Sequence, residues 1–312
     1  MPDTIIGTFL FSYFSVLLFF PTAKIIFITL LKKWQFPKCS NYRSEIVRTG
    51  LGLLFALNHL LLLLIMFSYE IFRDFNIGRH NSISDILFFF ELDLLLFGLP
   101  LFVAFIGYCD DVRGQREKGL TKNIKKLLNT GRPTSSLLKL FVIVVCAFLW
   151  ASQYEFMMLP KNDSSVANAV VNIILIALLT NFFNLLDLRP ARAIKNSILM
   201  FVPLSCFDVN ARNFFITFLL APTFASVLAY APLDFRGQAM MGDAGSNMLG
   251  FVLGIGYAVI LPLPAKVAVV ILLTLFHIYC EFYSFSDFIS RHKILRWLDE
   301  WGTCMRKDSR KE

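Results

Sequence analysis

Apolar residues in this chain gather into long blocks instead of alternating with polar residues. Residues 4–31 contain a single charged side chain, Lys24, and residues 94–108 contain none. A hydrocarbon core of about 30 Å is crossed by roughly 20 apolar residues in a helix. Because lipid offers the backbone no hydrogen-bond partners, such blocks are expected to be helical. The pattern predicts an all-α, polytopic helical membrane protein.

About nine blocks have the character of transmembrane helices, and the sixth is the shortest. The predicted spans are residues 4–31, 51–69, 84–108, 137–158, 166–183, 195–207, 213–231, 245–261 and 264–285. They predict one transmembrane domain over residues 1–285, followed by a basic tail over residues 286–312. The composition agrees, because only 17% of the residues are charged, whereas soluble domains have about a quarter.

Lysine and arginine are distributed unevenly between the two sides of these spans. With the N-terminus outside, the inner segments and their membrane edges hold 24 of the 30 basic residues, and the outer segments hold five. Basic residues collect in cytoplasmic loops. The count therefore predicts a multi-pass membrane protein with its N-terminus outside and its C-terminus in the cytoplasm. It also explains the net charge of +8 without a nucleic-acid partner.

Three clusters of carboxylate and amide side chains lie at span ends on the predicted cytoplasmic side. They are the pair Asp110 and Asp111, the ladder Asn181, Asn184 and Asp187, and the glycine-rich turn around Asp243. Adjacent carboxylates repel each other unless a cation or a proton neutralises them, and steps of three place the ladder on one helical face. Each cluster also has a structural alternative: a solvated helix end, interhelical hydrogen bonding or an N-cap turn.

The side-chain atoms in these clusters indicate which metal ion they would bind. The six cysteines and four histidines have no spacing typical of a zinc site. Oxygen ligands alone are typical of Mg²⁺, and Mg²⁺ beside basic loops favours a phosphorylated substrate. The residues therefore predict Mg²⁺-dependent chemistry on a phosphate compound at the inner leaflet.

Four motifs, taken in order, resemble those of a known enzyme family. They are Asp110-Asp111-x-x-Gly114, Gly119-Leu120-x-x-x-x-Lys125, Asn181-x-x-Asn184-x-x-Asp187 and Met241-Gly242-Asp243-x-Gly245-Ser246. The series is similar to that of the polyprenyl-phosphate N-acetylhexosamine-1-phosphate transferases of glycosyltransferase family 4, and the resemblance runs from about residue 37 to residue 285. That family includes phospho-N-acetylmuramoyl-pentapeptide transferase.

The resemblance implies a phosphotransferase with its active site facing the cytoplasm. Such enzymes use Mg²⁺ to transfer a sugar-1-phosphate, often N-acetylhexosamine-1-phosphate, from a UDP-sugar to polyprenyl (undecaprenyl) phosphate, and they release UMP. They act in bacterial cell-wall or envelope polysaccharide synthesis. The expected partners are the lipid phosphate, the nucleotide sugar and a second copy of the chain in a homodimer.

The resemblance also implies roles for individual residues. Asp243 is expected to bind Mg²⁺, with Asp187 as a second metal ligand. Asp110 and Asp111 are expected to handle the lipid phosphate, one as proton acceptor or orienting group and the other near the metal. The expected substrate-binding residues are Lys125, Asn181, Asn184, Asp187, Arg189 and Arg192.

Some positions depart from the family pattern. Pro190 stands where relatives have a second aspartate that contacts the nucleobase, and Leu233 stands where an asparagine is usual. The family's late histidine-rich motif is reduced to one histidine, His292, and its tenth span is missing. Arg189 and Arg192 add positive charge to the expected donor pocket, so either a different mode of phosphate binding or a donor other than the usual one is expected.

Two other functions compete with the enzyme interpretation. The first is a catalytically altered or inactive relative that binds a lipid phosphate and regulates envelope assembly. The second is a secondary transporter, which is disfavoured because such proteins have paired interrupted helices near the middle of the membrane. The acidic clusters here lie at one membrane edge instead, apart from Glu91 and Asp93.

Overall fold

A computed structural model describes residues 2–34, 36–40, 45–76, 98–113, 119–157, 166–206 and 211–302, and most of these are helical. The helices are α1 Pro2–Lys33, α2 Leu53–Asn76, α3 Leu99–Arg113, α4 Leu120–Thr130, α5 Ser135–Met157, α6 Val166–Leu186, α7 Arg192–Cys206, α8 Ala211–Phe235, α9 Gly242–Ile260, α10 Leu263–Phe282, α11 Phe285–Arg291 and α12 Lys293–Glu300. A helix therefore overlaps the described part of each predicted apolar block, and α4, α11 and α12 are additional.

Four of the described helices are long and apolar enough to cross a membrane. They are Ser135–Tyr154 within α5, then α6, α9 and α10, and shorter apolar helices occur at Val16–Leu30, Leu53–Ile65 and Leu219–Phe235. These features are consistent with an all-α membrane protein. The nine spans and their orientation stay predictions, and residues 84–97 of the third predicted span, with Glu91 and Asp93, lie outside the described residues.

One small sheet departs from the purely helical expectation. Strands β1 (Lys38–Ser40) and β2 (Ile46–Arg48) pair antiparallel, with Cys39 opposite Val47. Met240 donates its N–H to the carbonyl oxygen of Arg48 at 2.8 Å. The sheet thereby joins the loop after α1 to the segment that leads into α9, which the alternation of apolar blocks could not predict.

Helix α9 is the centre of the bundle. In the apolar window of this helix 83% of the residues are buried, against 11% in α10. A Cβ atom at Gly250 would lie 2.5 Å from the carbonyl oxygen of Leu179 in α6, so glycine is needed where the two backbones meet. Small residues permit such close helix packing in membranes. The neighbours of α9 include α6, α3 and α2, and three of these four helices end or begin at the polar clusters.

Candidate active site

The first turn of α9 binds two of the predicted aspartates through its backbone. Gly242 donates its N–H to Asp187 Oδ2, and Asp243 and Ala244 donate theirs to the two carboxylate oxygens of Asp111, each at 3.1 Å. The first N–H groups of a helix have no partner within the helix and carry partial positive charge. Asp111 and Asp187 therefore stabilise this helix end and connect it to α3 and α6.

Two glycines make this approach possible. Gly242 has a φ of 71°, a backbone conformation that suits glycine, and an added Cβ would lie 2.4 Å from Asp111 Oδ2. A Cβ at Gly107 would lie 2.4 Å from the carbonyl oxygen of Asp243. Gly107 and Gly242 thus have one physical purpose, which is to let α3 and the start of α9 touch.

A buried lysine connects two aspartates of different motifs. Lys139 Nζ, near the start of α5, lies 2.6 Å from Asp243 Oδ2 and 3.4 Å from Asp110 Oδ2. Lys139 is 8% exposed. Two carboxylates this close repel each other, and the ammonium group supplies the positive charge that keeps them together. We name Asp110, Lys139 and Asp243 the carboxylate–lysine cluster.

Asp110 has one oxygen available for a further ligand. Burial disfavours its charged form, but hydrogen bonds with Asp243 and Ser135 and the charge of Lys139 outweigh burial and lower the pKa of Asp110. Its second oxygen, Oδ1, is buried without a hydrogen-bond partner. A buried oxygen without a hydrogen-bond partner is a candidate ligand for a cation or a hydrogen-bond donor that is not part of the chain.

The asparagine ladder lies on α6 as its spacing predicted. Ser246 Oγ in α9 is 3.3 Å from Asn184 Oδ1 and 2.9 Å from the carbonyl oxygen of Gly242. Asn184 and Asp187 thus both contact the first two turns of α9. Asn181 is half-buried one turn earlier in α6. Asn247, the neighbour of Ser246, is 1% exposed, and both polar atoms of its amide lack a hydrogen-bond partner.

Two predicted phosphate-binding residues, Arg189 and Arg192, contact the C-terminal segment. Arg192 Nε and Nη2 donate to the two carboxylate oxygens of Asp299 at 2.5 and 2.8 Å, and Arg192 Nη1 donates to Ser286 Oγ at 2.9 Å. Arg189 Nη1 lies 3.9 Å from Asp299 Oδ2. A carboxylate of the chain itself therefore occupies the position beside these arginines that an anion was expected to fill.

Lys125 lies on the exposed surface of α4, and the structure gives it no place among the aspartates. Lys139 belongs to none of the four motifs, but it lies among the aspartates, where a phosphate-binding lysine was expected. One signal in the sequence could have identified it: Lys139 falls inside the predicted span 137–158, and an ionisable residue within a span is a candidate functional residue.

The loop that precedes α2 contributes backbone to the same region. Gly52 donates its N–H to the carbonyl oxygen of Met241 at 2.9 Å. Residues 41–44 lie outside the described part of the chain, so only the second half of that loop is placed beside Asp243.

The donors present are compatible with a hard divalent cation. Among the described residues, no group of three or more His, Cys, Asp or Glu side chains is arranged to hold a metal ion. The carboxylate–lysine cluster nevertheless offers only oxygen ligands beside its ammonium group, and it includes the unpartnered Oδ1 of Asp110. Oxygen ligands are those that Mg²⁺ prefers, so Asp243 and Asp110 fit this ion with two carboxylates.

Comparison with known families assigns the chain to a class. The family model described as "Glycosyl transferase family 4" matches residues 94–261, more than half of the 312 residues. The chain belongs to this family, and the matched segment contains Asp110, Asp111, Asp187 and Asp243. Membership supports a membrane-embedded transferase of the polyprenyl-phosphate sugar-1-phosphate type. A comparison with individually curated proteins found no match.

Proposed function

We propose that the protein transfers a sugar-1-phosphate, with N-acetylhexosamine-1-phosphate as the expected group, from a UDP-sugar to undecaprenyl phosphate and releases UMP. The reaction depends on Mg²⁺, takes place at the cytoplasmic face of the plasma membrane and belongs to envelope polysaccharide or peptidoglycan synthesis. The observation that carries the proposal is the carboxylate–lysine cluster at the N-terminus of α9, within the segment that matches the family.

Mg²⁺ would be held by Asp243 together with Asp110, whose Oδ1 is unpartnered. The sequence also predicted Asp187 as a ligand, and in the structure Asp187 Oδ2 accepts the N–H of Gly242. When bound, the ion neutralises charge on the diphosphate of the donor. Asp111 acts differently: both of its oxygens accept N–H groups of α9, so its contribution is to hold the helix end in place.

Lys139 provides the second source of positive charge. Displacement at a diphosphate gathers negative charge on phosphate oxygens, and a preorganised cation in a partly dry site stabilises that charge. A lysine that already bridges Asp110 and Asp243 can turn toward a phosphate when the substrate brings its own charge into the cluster. The acceptor, a phosphate monoester with a second pKa of about 6, needs little help to lose its proton. Positioning therefore dominates the catalysis.

The donor side of the site differs from the pattern of the family. Residues 187–190, with Asp234 and Met240, line a small pocket next to the start of α9, and Pro190 stands there in place of the expected aspartate. Asn181, Asn184 and Asp187 remain the expected contacts to the nucleotide. Arg189 and Arg192 can contribute to donor binding only after their contacts with Asp299 change.

One observation favours a second candidate function. Because Arg192 is 3% exposed and paired with Asp299, the donor side of the site could be closed permanently. The chain would then bind a lipid phosphate at the carboxylate–lysine cluster and regulate envelope assembly without turnover. The intact cluster favours the enzyme, because binding of a phosphate is served by the charge of Lys139 and does not require two carboxylates beside it.

The test is a donor-panel assay with the purified full chain. The protein is reconstituted with Mg²⁺ and undecaprenyl phosphate, and UMP release is measured for UDP-GlcNAc, UDP-GalNAc and other nucleotide sugars. The enzyme proposal predicts UMP release that requires both the lipid phosphate and Mg²⁺. Binding of the lipid phosphate without turnover on any donor, beside an active family member, would support the regulatory alternative.

A further inference from the structure

The C-terminal helix α12 carries an apolar stripe that the protein leaves uncovered. The exposed fractions are 74% for Ile294, 62% for Trp297, 46% for Leu298 and 64% for Trp301, the residue that follows the helix. Steps of three and four residues place these side chains on one helical face. A contiguous exposed patch of large apolar side chains marks an interaction site.

The other face of α12 is held by the protein. The carboxylate of Asp299 accepts the two hydrogen bonds from Arg192, and Lys195 Nζ donates to the carbonyl oxygens of Leu298 and Asp299 at 2.9 and 2.8 Å. A lysine at the last carbonyls of a helix stabilises its C-terminal end. Two basic residues of α7 therefore fix the position of α12 and leave the stripe facing away from the bundle.

The segment around α12 lies close to the ends of apolar helices. Helix α10, a candidate span, ends at Phe282, and Phe282 and Tyr283 are 76% and 65% exposed. At the far end of α12, a Cβ at Gly302 would lie 3.0 Å from the ring of Phe235, the last residue of α8. Helix α12 thus lies beside the ends of apolar helices, at the level where lipid head groups are expected.

The charged residues of α12 and its neighbours indicate which kind of surface the helix binds. Within residues 291–301, three basic residues, Arg291, Lys293 and Arg296, are exposed against one exposed acid, Glu300, and the negative charge of Asp299 is neutralised by Arg192. Helices with Trp and Leu on one face and Lys or Arg on the other lie in the plane of a membrane surface, and anionic lipids attract their basic residues. We propose that residues 291–301 dock on the anionic leaflet at the site end of the bundle. Because Arg192 begins α7 directly after the turn that contains Asp187, this docking connects the leaflet to the candidate site.

Hydrogen exchange of the full chain in nanodiscs tests the proposal, and it does not depend on turnover. One set of nanodiscs contains phosphatidylcholine alone, and the other also contains phosphatidylglycerol. Amides of residues 293–301 are expected to exchange at least about tenfold more slowly with phosphatidylglycerol, because each basic residue near an anionic surface contributes to binding. The Lys293→Gln/Arg296→Gln variant should lose this difference.

Two further variants separate the lipid contact from a general effect of charge or folding. Trp297→Glu places a charge in the stripe and should speed exchange in both lipid mixtures, whereas Trp297→Phe should behave like the wild type. Lys122→Gln/Lys126→Gln removes two exposed charges from α4 and should leave exchange of residues 293–301 unchanged. Equal exchange in the two lipid mixtures, or protection that follows protein concentration, would overturn the proposal, and the latter would identify a second chain as the occupant.

Discussion

Replacing Lys139 by methionine removes the charge that holds the candidate site together. The ammonium group lies 2.6 Å from one carboxylate and 3.4 Å from the other, and the three side chains are at most 17% exposed. Removing one partner from a buried ion pair costs about 3–5 kcal/mol, because the remaining charge has no compensation. In Lys139→Met, Asp110 and Asp243 would face each other without a cation.

A divalent ion can replace the missing positive charge, so the stability of Lys139→Met should depend on Mg²⁺. We expect the thermal unfolding temperature of Lys139→Met to fall in EDTA and to recover largely in millimolar Mg²⁺. Turnover should fall about 100- to 1,000-fold even with Mg²⁺, since a preorganised charge that stabilises the transition state contributes about that much. Unfolding is followed by intrinsic fluorescence in nanodiscs, and turnover by UMP release.

The matched control is Lys266→Met. Lys266 is also buried, at 4% exposure, but it donates to Asn168 Oδ1 at 2.9 Å at the opposite end of the bundle. This variant should lose stability without recovery in Mg²⁺, and it should keep its turnover once folded. If Lys139→Met kept full activity, or if its stability were the same in EDTA and in Mg²⁺, the carboxylate–lysine cluster would not be the reaction centre.

Two other substitutions follow from the geometry. Asp111→Asn removes the charge that accepts two N–H groups of α9, so we expect the free energy of unfolding to fall by about 2 kcal/mol, measured by denaturant titration in detergent; an unchanged value would mean that Asp111 does not anchor the helix. Lys125→Gln alters an exposed side chain of α4, and UMP release should stay within about twofold of the wild type, as for most surface substitutions; a loss of more than tenfold would restore Lys125 as a phosphate ligand.

Local spacing in the sequence predicted the relative placement of some polar side chains. Steps of three put Asn184 and Asp187 on one side of α6, and the structure brings both to the start of α9. The glycines around Asp243 were expected to allow a tight turn, and Gly242 has the positive φ that such a turn uses. These features depend on residues within one or two helical turns of each other, where the period of the helix fixes their relative positions.

Contacts between distant segments could not be predicted in this way. Lys139 follows Asp110 by 29 residues and precedes Asp243 by 104, and only the packing of α3, α5 and α9 brings the three together. The pairing of Arg192 with Asp299 spans 107 residues. No periodicity in the sequence relates these positions, so both arginines were assigned to substrate rather than to the C-terminal helix.

The small sheet could not be predicted from the sequence for a different reason. Strands β1 and β2 have three residues each, too few for an alternating pattern to be recognised. They pair with each other, and Met240 adds a further backbone hydrogen bond to Arg48. The predicted apolar blocks, by contrast, overlap observed helices, because each block is long enough for its apolar composition to be distinctive.

The most direct test of the central claim is the mass of the lipid product formed by the wild type and by Asp243→Asn. The account predicts that the wild type, given Mg²⁺, a nucleotide sugar and undecaprenyl phosphate, forms the undecaprenyl-diphosphate sugar. Asp243→Asn should form none, while Asp287→Asn, an exposed aspartate in α11, should form as much as the wild type. Product formation by folded Asp243→Asn at the wild-type rate would contradict the account.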